Sequence, residues 1–293
     1  MRRLLALAAA LALGAVAVLW LTGPQPIAAA DWTVTGDPAR GAVTFAAAGC
    51  AACHTAPEGD PAVLAGGQAF ATAFGTFYAP NISPDPTHGV GAWTDAALAS
   101  AIMRGVGADG AHLYPAFPYA AYAKATPQDV ADIIAHLRTL PADATPSQPH
   151  DVGFPFNIRA SLGVWKALFV SPDWVLAGTV DETVARGRYL SEALAHCGEC
   201  HTPRNALGGL DTGAWLAGAP HPSEPTGRIP NITPGALTWS AGEIAEYLKS
   251  GFTPEFDTAG GEMAEVVRNT AQLTDADRAA IAAYLKAVPP VTD

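Results

Sequence analysis

The four cysteines of this chain fall in two tight pairs, Cys50 with Cys53 and Cys197 with Cys200, and a histidine follows each pair directly, His54 and His201. In an exported protein both thiols of such a pair add across the vinyl groups of a haem, and the adjacent imidazole supplies the proximal iron ligand. The spacing matters because one helical turn then presents two thioether links on one side of the porphyrin and swings the imidazole beneath the iron. Thiol–disulfide exchange is the competing use of Cys-x-x-Cys. It explains neither histidine, and no βαβ pattern surrounds either pair. Structural zinc wants four ligands per site, and two isolated pairs are not a disulfide framework. The expected cofactors are two covalently bound haem c groups, attached at Cys50 and Cys53 and at Cys197 and Cys200.

A low-spin haem takes a second axial ligand, and methionine sulfur favours the reduced iron. Beyond the initiator the chain holds two methionines, Met103 and Met263. Met263 lies 62 residues after His201, in a Gly260-Gly261-Glu262-Met263 stretch read as a tight loop before the last helix, and is the expected ligand of haem 2. Phe117 stands at the matching place in the first copy, 63 residues after His54, and a phenyl ring cannot ligate iron. Met103, near the end of a helix and matched by Lys249 in the second copy, is the expected ligand of haem 1. His112 and an open, five-coordinate iron are the alternatives. The expected metal ligands are thus His54, Met103, His201 and Met263. Arg104, Arg204 and Arg228 are candidates to meet the propionates, with a solvated surface role as the competing reading. Pro80 and Pro230 are expected to fix a loop against the proximal side, with the amides of Asn81 and Asn231 serving the buried loop.

The elements that must position these groups occur twice. Helical patterns run from Asp37 to Ala48 and from Asp181 to Leu194 into the motifs, which recur 147 residues apart. After each motif come Pro80-Asn81-Ile82-Ser83 or Pro230-Asn231-Ile232-Thr233 and then a helix opened by Trp93 or Trp239, ending at Gly105 or Gly251. Final helices are expected over Pro127 to Leu140 and Asp275 to Val288, from their apolar spacing and their caps. This order is that of a small cytochrome c domain. The expected fold is mostly α, with two class I cytochrome c domains in tandem, at residues 33–145 and 178–293. Residues 146–177 form a linker and interdomain segment, with Phe156, Leu162, Trp165, Phe169 and Trp174 expected to pack between the domains or to face a partner.

The formal charge is -11, which argues against nucleic-acid binding and against a basic membrane-surface role, since each needs clustered cations. At the start, Arg2 and Arg3 precede an uncharged Leu/Ala-rich run to Leu21 and then Ala28-Ala29-Ala30, so residues 1–30 read as a signal peptide or a transmembrane anchor. Either way the rest of the chain is expected in the periplasm or at the periplasmic face of the bacterial inner membrane.

The sequence also resembles the cytochrome c subunits of membrane-bound alcohol, aldehyde and gluconate dehydrogenases. The resemblance is carried by Phe77-Tyr78-Ala79-Pro80-Asn81-Ile82-Ser83-Pro84-Asp85, Gly89-Val90-Gly91-Ala92-Trp93-Thr94, Arg104-Gly105-Val106, Asp109 through Tyr119, and Gly261-Glu262-Met263-Ala264-Glu265-Val266-Val267. It extends over nearly all of residues 33–293. It implies His54 and His201 as proximal ligands and Met263 as a distal one, in a subunit that takes electrons from a quinoprotein or molybdenum catalytic subunit and passes them on. Many members carry three haem motifs where this chain has two, and many have methionine where Phe117 stands; variants with Phe there place Met at the position of Met103. The expected function is a dihaem relay of single electrons, with a dehydrogenase catalytic subunit as donor and a cytochrome, quinone system or oxidase as acceptor. The alternative is a dihaem oxidoreductase enzyme of thiosulfate or peroxide type with an open or weakly ligated haem 1.

Overall fold

The computed structural model describes residues 1–222 and 226–292. Positions 223–225 and 293 of the second expected domain, and the side chains at 8, 11, 12 and 15 of the expected leader, lie outside the described residues. Helix α1 (Arg2–Leu21) precedes the domains. Among the described residues no helix is long and apolar enough to cross a membrane.

Domain 1 contains α2 (Pro38–Ala47), α3 (Cys50–His54), a hairpin of β1 (Ala69–Thr72) and β2 (Gly75–Tyr78), α4 (Asp95–Arg104), the short α5 (Tyr119–Tyr122) and α6 (Pro127–Leu137). Helix α7 (Leu162–Phe169) follows in the segment between the domains. Domain 2 repeats the plan with α8 (Glu182–Tyr189), α9 (Gly198–His201), a pairing of β3 (Ala219–Pro220) with β4 (Arg228–Ile229), α10 (Ala241–Ser250), α11 (Gly261–Thr270) and α12 (Asp275–Ala287). Side-chain caps fix the helix starts. Asp37, Thr94, Thr126, Asp181, Ser240 and Thr274 each accept a backbone N–H, so α4 and α10 begin just after Trp93 and Trp239 rather than at them. Gly105 and Gly251, both left-handed, end those two helices.

In each domain the helix entering the motif crosses the last helix at a glycine. A Cβ on Gly41 would sit 2.0 Å from the Asp132 carbonyl oxygen, and one on Gly187 would sit 1.9 Å from that of Ala280. That approach lets α2 lie on α6, and α8 on α12, around cores that include Phe45, Val130, Ile133 and Ile134 in one domain and Leu190, Ile281, Tyr284 and Leu285 in the other.

Three stretches differ from expectation. The helix from Glu182 does not continue as α to Leu194; residues Leu190–Leu194 form a π turn, which admits an extra residue just before the second motif. The chain after α6 is not a free linker. Asp143 and Thr145 carbonyls accept from the Asn81 amide, Ser147 Oγ accepts from Asn81 N–H, and Asp151 bridges Thr76, so residues 143–151 are stitched to domain 1. Met263 lies in the first turn of α11 rather than in a loop, because Met263, Val266, Val267 and Thr270 recur at helical spacing toward the core.

The aromatic segment packs between the domains through some of its members. Trp165 stacks edge-on with Tyr119 of domain 1 and donates its indole N–H to the Leu207 carbonyl of domain 2 at 2.9 Å. Phe169 covers Gly209, and Trp174 meets Tyr189. Phe154 remains exposed.

Overpacking at a helix crossing costs about 1–3 kcal/mol. Gly41→Ala is expected at the upper end of that range because its methyl would meet backbone, and Gly187→Ala likewise in domain 2. Denaturant unfolding followed by the tryptophan fluorescence of each variant checks this.

Candidate haem sites

Each motif is one short helical turn entered through a left-handed residue, Gly49 at φ 66° before Cys50 and His196 at φ 41° before Cys197. Glycine adopts that conformation freely; histidine there is strained, and its half-buried ring is held by its surroundings. The turn presents the two thiols of each pair together, all four unpaired. Burial pushes the thiols up, Cys50 to about 12 and Cys53 and Cys197 to about 11. Reactive thiols of exchange catalysts shift the opposite way.

The imidazoles are placed identically. His54 Nδ1 lies 2.8 Å from the Pro80 carbonyl oxygen, and His201 Nδ1 lies 2.8 Å from that of Pro230. A carbonyl only accepts, so Nδ1 carries the proton and Nε2 keeps its lone pair. Burial also holds both rings below the ordinary histidine range, toward the neutral form that binds a metal. This is the outer hydrogen bond that orients a metal-ligating histidine. The loops bearing the two prolines are fixed in turn. Asn81 Nδ2 donates to Asp143 and Thr145 carbonyls while its Oδ1 accepts from Ser83 N–H; Asn231 Nδ2 donates to the Val291 carbonyl while its Oδ1 accepts from Thr233. The residues present fit two covalent haem c groups: paired free thiols on one turn and an imidazole with Nε2 available, twice.

On the distal side, Met103 on α4 and Met263 on α11 are partly buried against the cores. Phe117 packs beside Tyr119 and Tyr122 instead of opening the position it shares with Met263. His112 is buried, with Nε2 3.1 Å from the Thr22 carbonyl oxygen. Two of the cations considered for the propionates point elsewhere: Arg104 donates to Gln25 and Pro26 carbonyls, and Arg204 to Gly208 and Glu199. Lys249 reaches Asp275.

The two motifs meet across the domain interface. Tyr122 of domain 1 donates its hydroxyl to the Ala48 carbonyl at 2.6 Å, and its ring lies 5.6 Å from that of His196 in domain 2. His196 Nε2 is 3.7 Å from where a Gly49 Cβ would be. Burial, and then the nearby Cys200 of domain 2, raises the Cys53 thiol. Tyr189 of domain 2 binds Asp129 and accepts from Thr126 N–H of domain 1. Sequence reading missed this contact. The signal for it was a histidine where the first copy has glycine, directly before the first cysteine.

Each turn is expected to carry its own haem. Replacing Cys197 and Cys200 together by serine should leave one covalent group per chain, seen as the loss of one haem mass in the intact-protein spectrum and about half the Soret absorbance.

The sequence profile of the family described as Cytochrome c matches residues 38–141 and 184–289. The chain is 55% identical over 298 residues to a diheme cytochrome c-type protein of Cereibacter sphaeroides, covering 99% of this chain and 100% of that protein. It is 44% identical over 277 residues to the fructose dehydrogenase cytochrome subunit of Gluconobacter japonicus, covering 92% of this chain and 55% of that one. Identity is 34% over 263 residues to the gluconate 2-dehydrogenase cytochrome c subunit of Pantoea cypripedii, covering 85% and 59%. This chain thus spans little more than half of either dehydrogenase subunit. With a matched region around each attachment turn and a dihaem relative spanned end to end, the chain belongs to the cytochrome c family and holds two covalently bound haem c groups.

Proposed function

We propose that this protein relays single electrons, domain to domain, from a periplasmic or membrane-bound dehydrogenase to the respiratory chain. The observation that carries the reading is the abutment of the two attachment turns at Gly49, Tyr122 and His196, which sets the two cofactor sites back to back. Relatives that are cytochrome subunits of fructose, alcohol and gluconate dehydrogenases support a dehydrogenase as donor. The acceptor is a cytochrome, a quinone system or an oxidase. Haem supplies the one-electron couple; the chain's residues hold and orient it. His54 and Met103 ligate in domain 1, and His201 and Met263 in domain 2. The bond between His112 and the Thr22 carbonyl favours Met103 over His112.

The site of action is the periplasm or the periplasmic face of the inner membrane. Residues 25–32 are bound to domain 1. Ile27 N–H donates to Ser100 Oγ at 2.8 Å, Arg104 holds the Gln25 and Pro26 carbonyls, and Ile27 and Trp32 pack on the core. The formal charge of -11 suits a basic partner met through a salt-dependent encounter.

Two outcomes test the reading. Low-temperature EPR and near-infrared spectra of the oxidised protein are expected to show two low-spin species, and Met103→Leu should convert one to high spin. A high-spin iron already present and untouched by that substitution overturns the ligand assignment. Stopped-flow mixing with the membrane dehydrogenase fraction of the source bacterium should reduce the protein only with dehydrogenase substrate present, more slowly at high salt; turnover of thiosulfate or peroxide without any partner overturns the relay.

A further inference from the structure

The two domains are alike at their attachment turns and unlike in the charge buried behind them. Glu192, on the π turn before the second motif, is 2% exposed. Its Oε2 accepts from Val175 N–H at 2.7 Å, and its Oε1 accepts from Leu176 N–H at 3.0 Å and from the Tyr284 hydroxyl at 2.8 Å. Every group bonded to it is a donor, as an ionised carboxylate requires, and all three donors are neutral. Among the described residues no ion pair to Glu192 is formed. Lys124 acts on it through space and is shared with Glu199 and Asp173.

This carboxylate is wired to the second attachment turn. Tyr284, fully buried, receives the Trp215 indole N–H at 2.8 Å, and the Trp215 ring lies where a Cβ on Gly198 would be, inside the turn between Cys197 and Cys200. Burial, then the Glu192 charge, pushes the Tyr284 hydroxyl far up, and Cys197 acts on it as well. Aligned on the motifs, Phe45 of domain 1 stands at the place of Glu192; aligned on the Thr126 and Thr274 caps, His136 stands at that of Tyr284, and the two rings pack edge to face at 5.2 Å. The carboxylate buried in domain 1, Asp132, lies elsewhere and is neutralised by Arg40, whose Nε and second guanidinium nitrogen reach it at 2.8 and 3.0 Å. The buried Arg278 of domain 2 is taken up by the Thr270, Ala271 and Leu273 carbonyls and by Asp275.

We propose that Glu192 sets the order of the two reduction potentials, holding the haem attached at Cys197 and Cys200 below the haem attached at Cys50 and Cys53. A fixed negative charge in a low-dielectric interior disfavours an added electron nearby and so stabilises the ferric state. Glu192 is a positioning group acting through space, not an iron ligand. The proposal needs only the two attached haems and stands apart from the identity of donor and acceptor.

The test is a spectroelectrochemical titration of the full-length dihaem protein with no partner present. Two one-electron waves are expected. Glu192→Gln should raise the lower wave by about 59 mV, which is a tenfold change in the oxidised-to-reduced ratio of one site, and leave the upper wave in place. Tyr284→Phe keeps the charge and removes one donor that screens it, so it should move the lower wave further down. A purely structural Glu192 would lower the unfolding temperature of both variants and move neither wave. That result overturns the proposal, as does movement of the upper wave. If Glu192→Gln fails to fold, the direction given by Tyr284→Phe decides.

Discussion

An imidazole can be offered to an iron through one nitrogen only if its other nitrogen is fixed, and the bond from His54 or His201 to a proline carbonyl is the constraint on which each domain is built. Proline serves this because it lacks an N–H and its φ is fixed, leaving its carbonyl in a defined direction. The carbonyl in turn must not move. Asn81 and Asn231 secure the loop by satisfying carbonyls on the strand that leaves the last helix, so the C-terminal end of each domain locks its proximal side. The helix crossing at Gly41 or Gly187 then sets the distance between the motif and that last helix. Attachment turn, loop and crossing form a closed mechanical circuit, and it is built twice.

Most of that circuit was legible in the sequence because its parts are local. Cys-x-x-Cys-His is a contiguous chemical unit. The caps at Asp37, Thr94, Thr126, Ser240 and Thr274 act within three residues of themselves, and the repeat exposed the equivalence of the two halves. What escaped depends on distant partners. Nothing near Pro141 signals that residues 143–151 lie along domain 1, since the bonds that hold them come from Asn81 and Thr76. Met263 read as a loop residue because Gly260 and Gly261 precede it, yet Gly260 stands at the N-cap and the apolar positions after it are helical. Glu192 read as one more helix residue; its burial and the π turn beneath it come from packing against Tyr284 and the Val175–Leu176 backbone.

Duplication gives two like sites, and only residues that differ between the copies can set them apart. The differences between the copies are therefore the informative positions. Some are at the distal side, where Phe117 occupies the counterpart of Met263 and Met103 that of Lys249. Others are at the seam. Gly49 and His196 share one position and one left-handed conformation, but glycine leaves a gap on its own side and histidine spans the gap from the other, so the copies fit each other and not themselves.

The same logic explains why a bare buried carboxylate is tolerated. Burying Glu192 without a direct ion pair is expensive, and the fold recovers part of that cost through two backbone N–H groups and a tyrosine. An apolar residue, as Phe45 is at that position in the other copy, would not carry that cost. Stability alone thus argues against the carboxylate. Its place beside the attachment turn, reached through Tyr284 and Trp215, gives it an electrostatic role that an apolar residue could not fill.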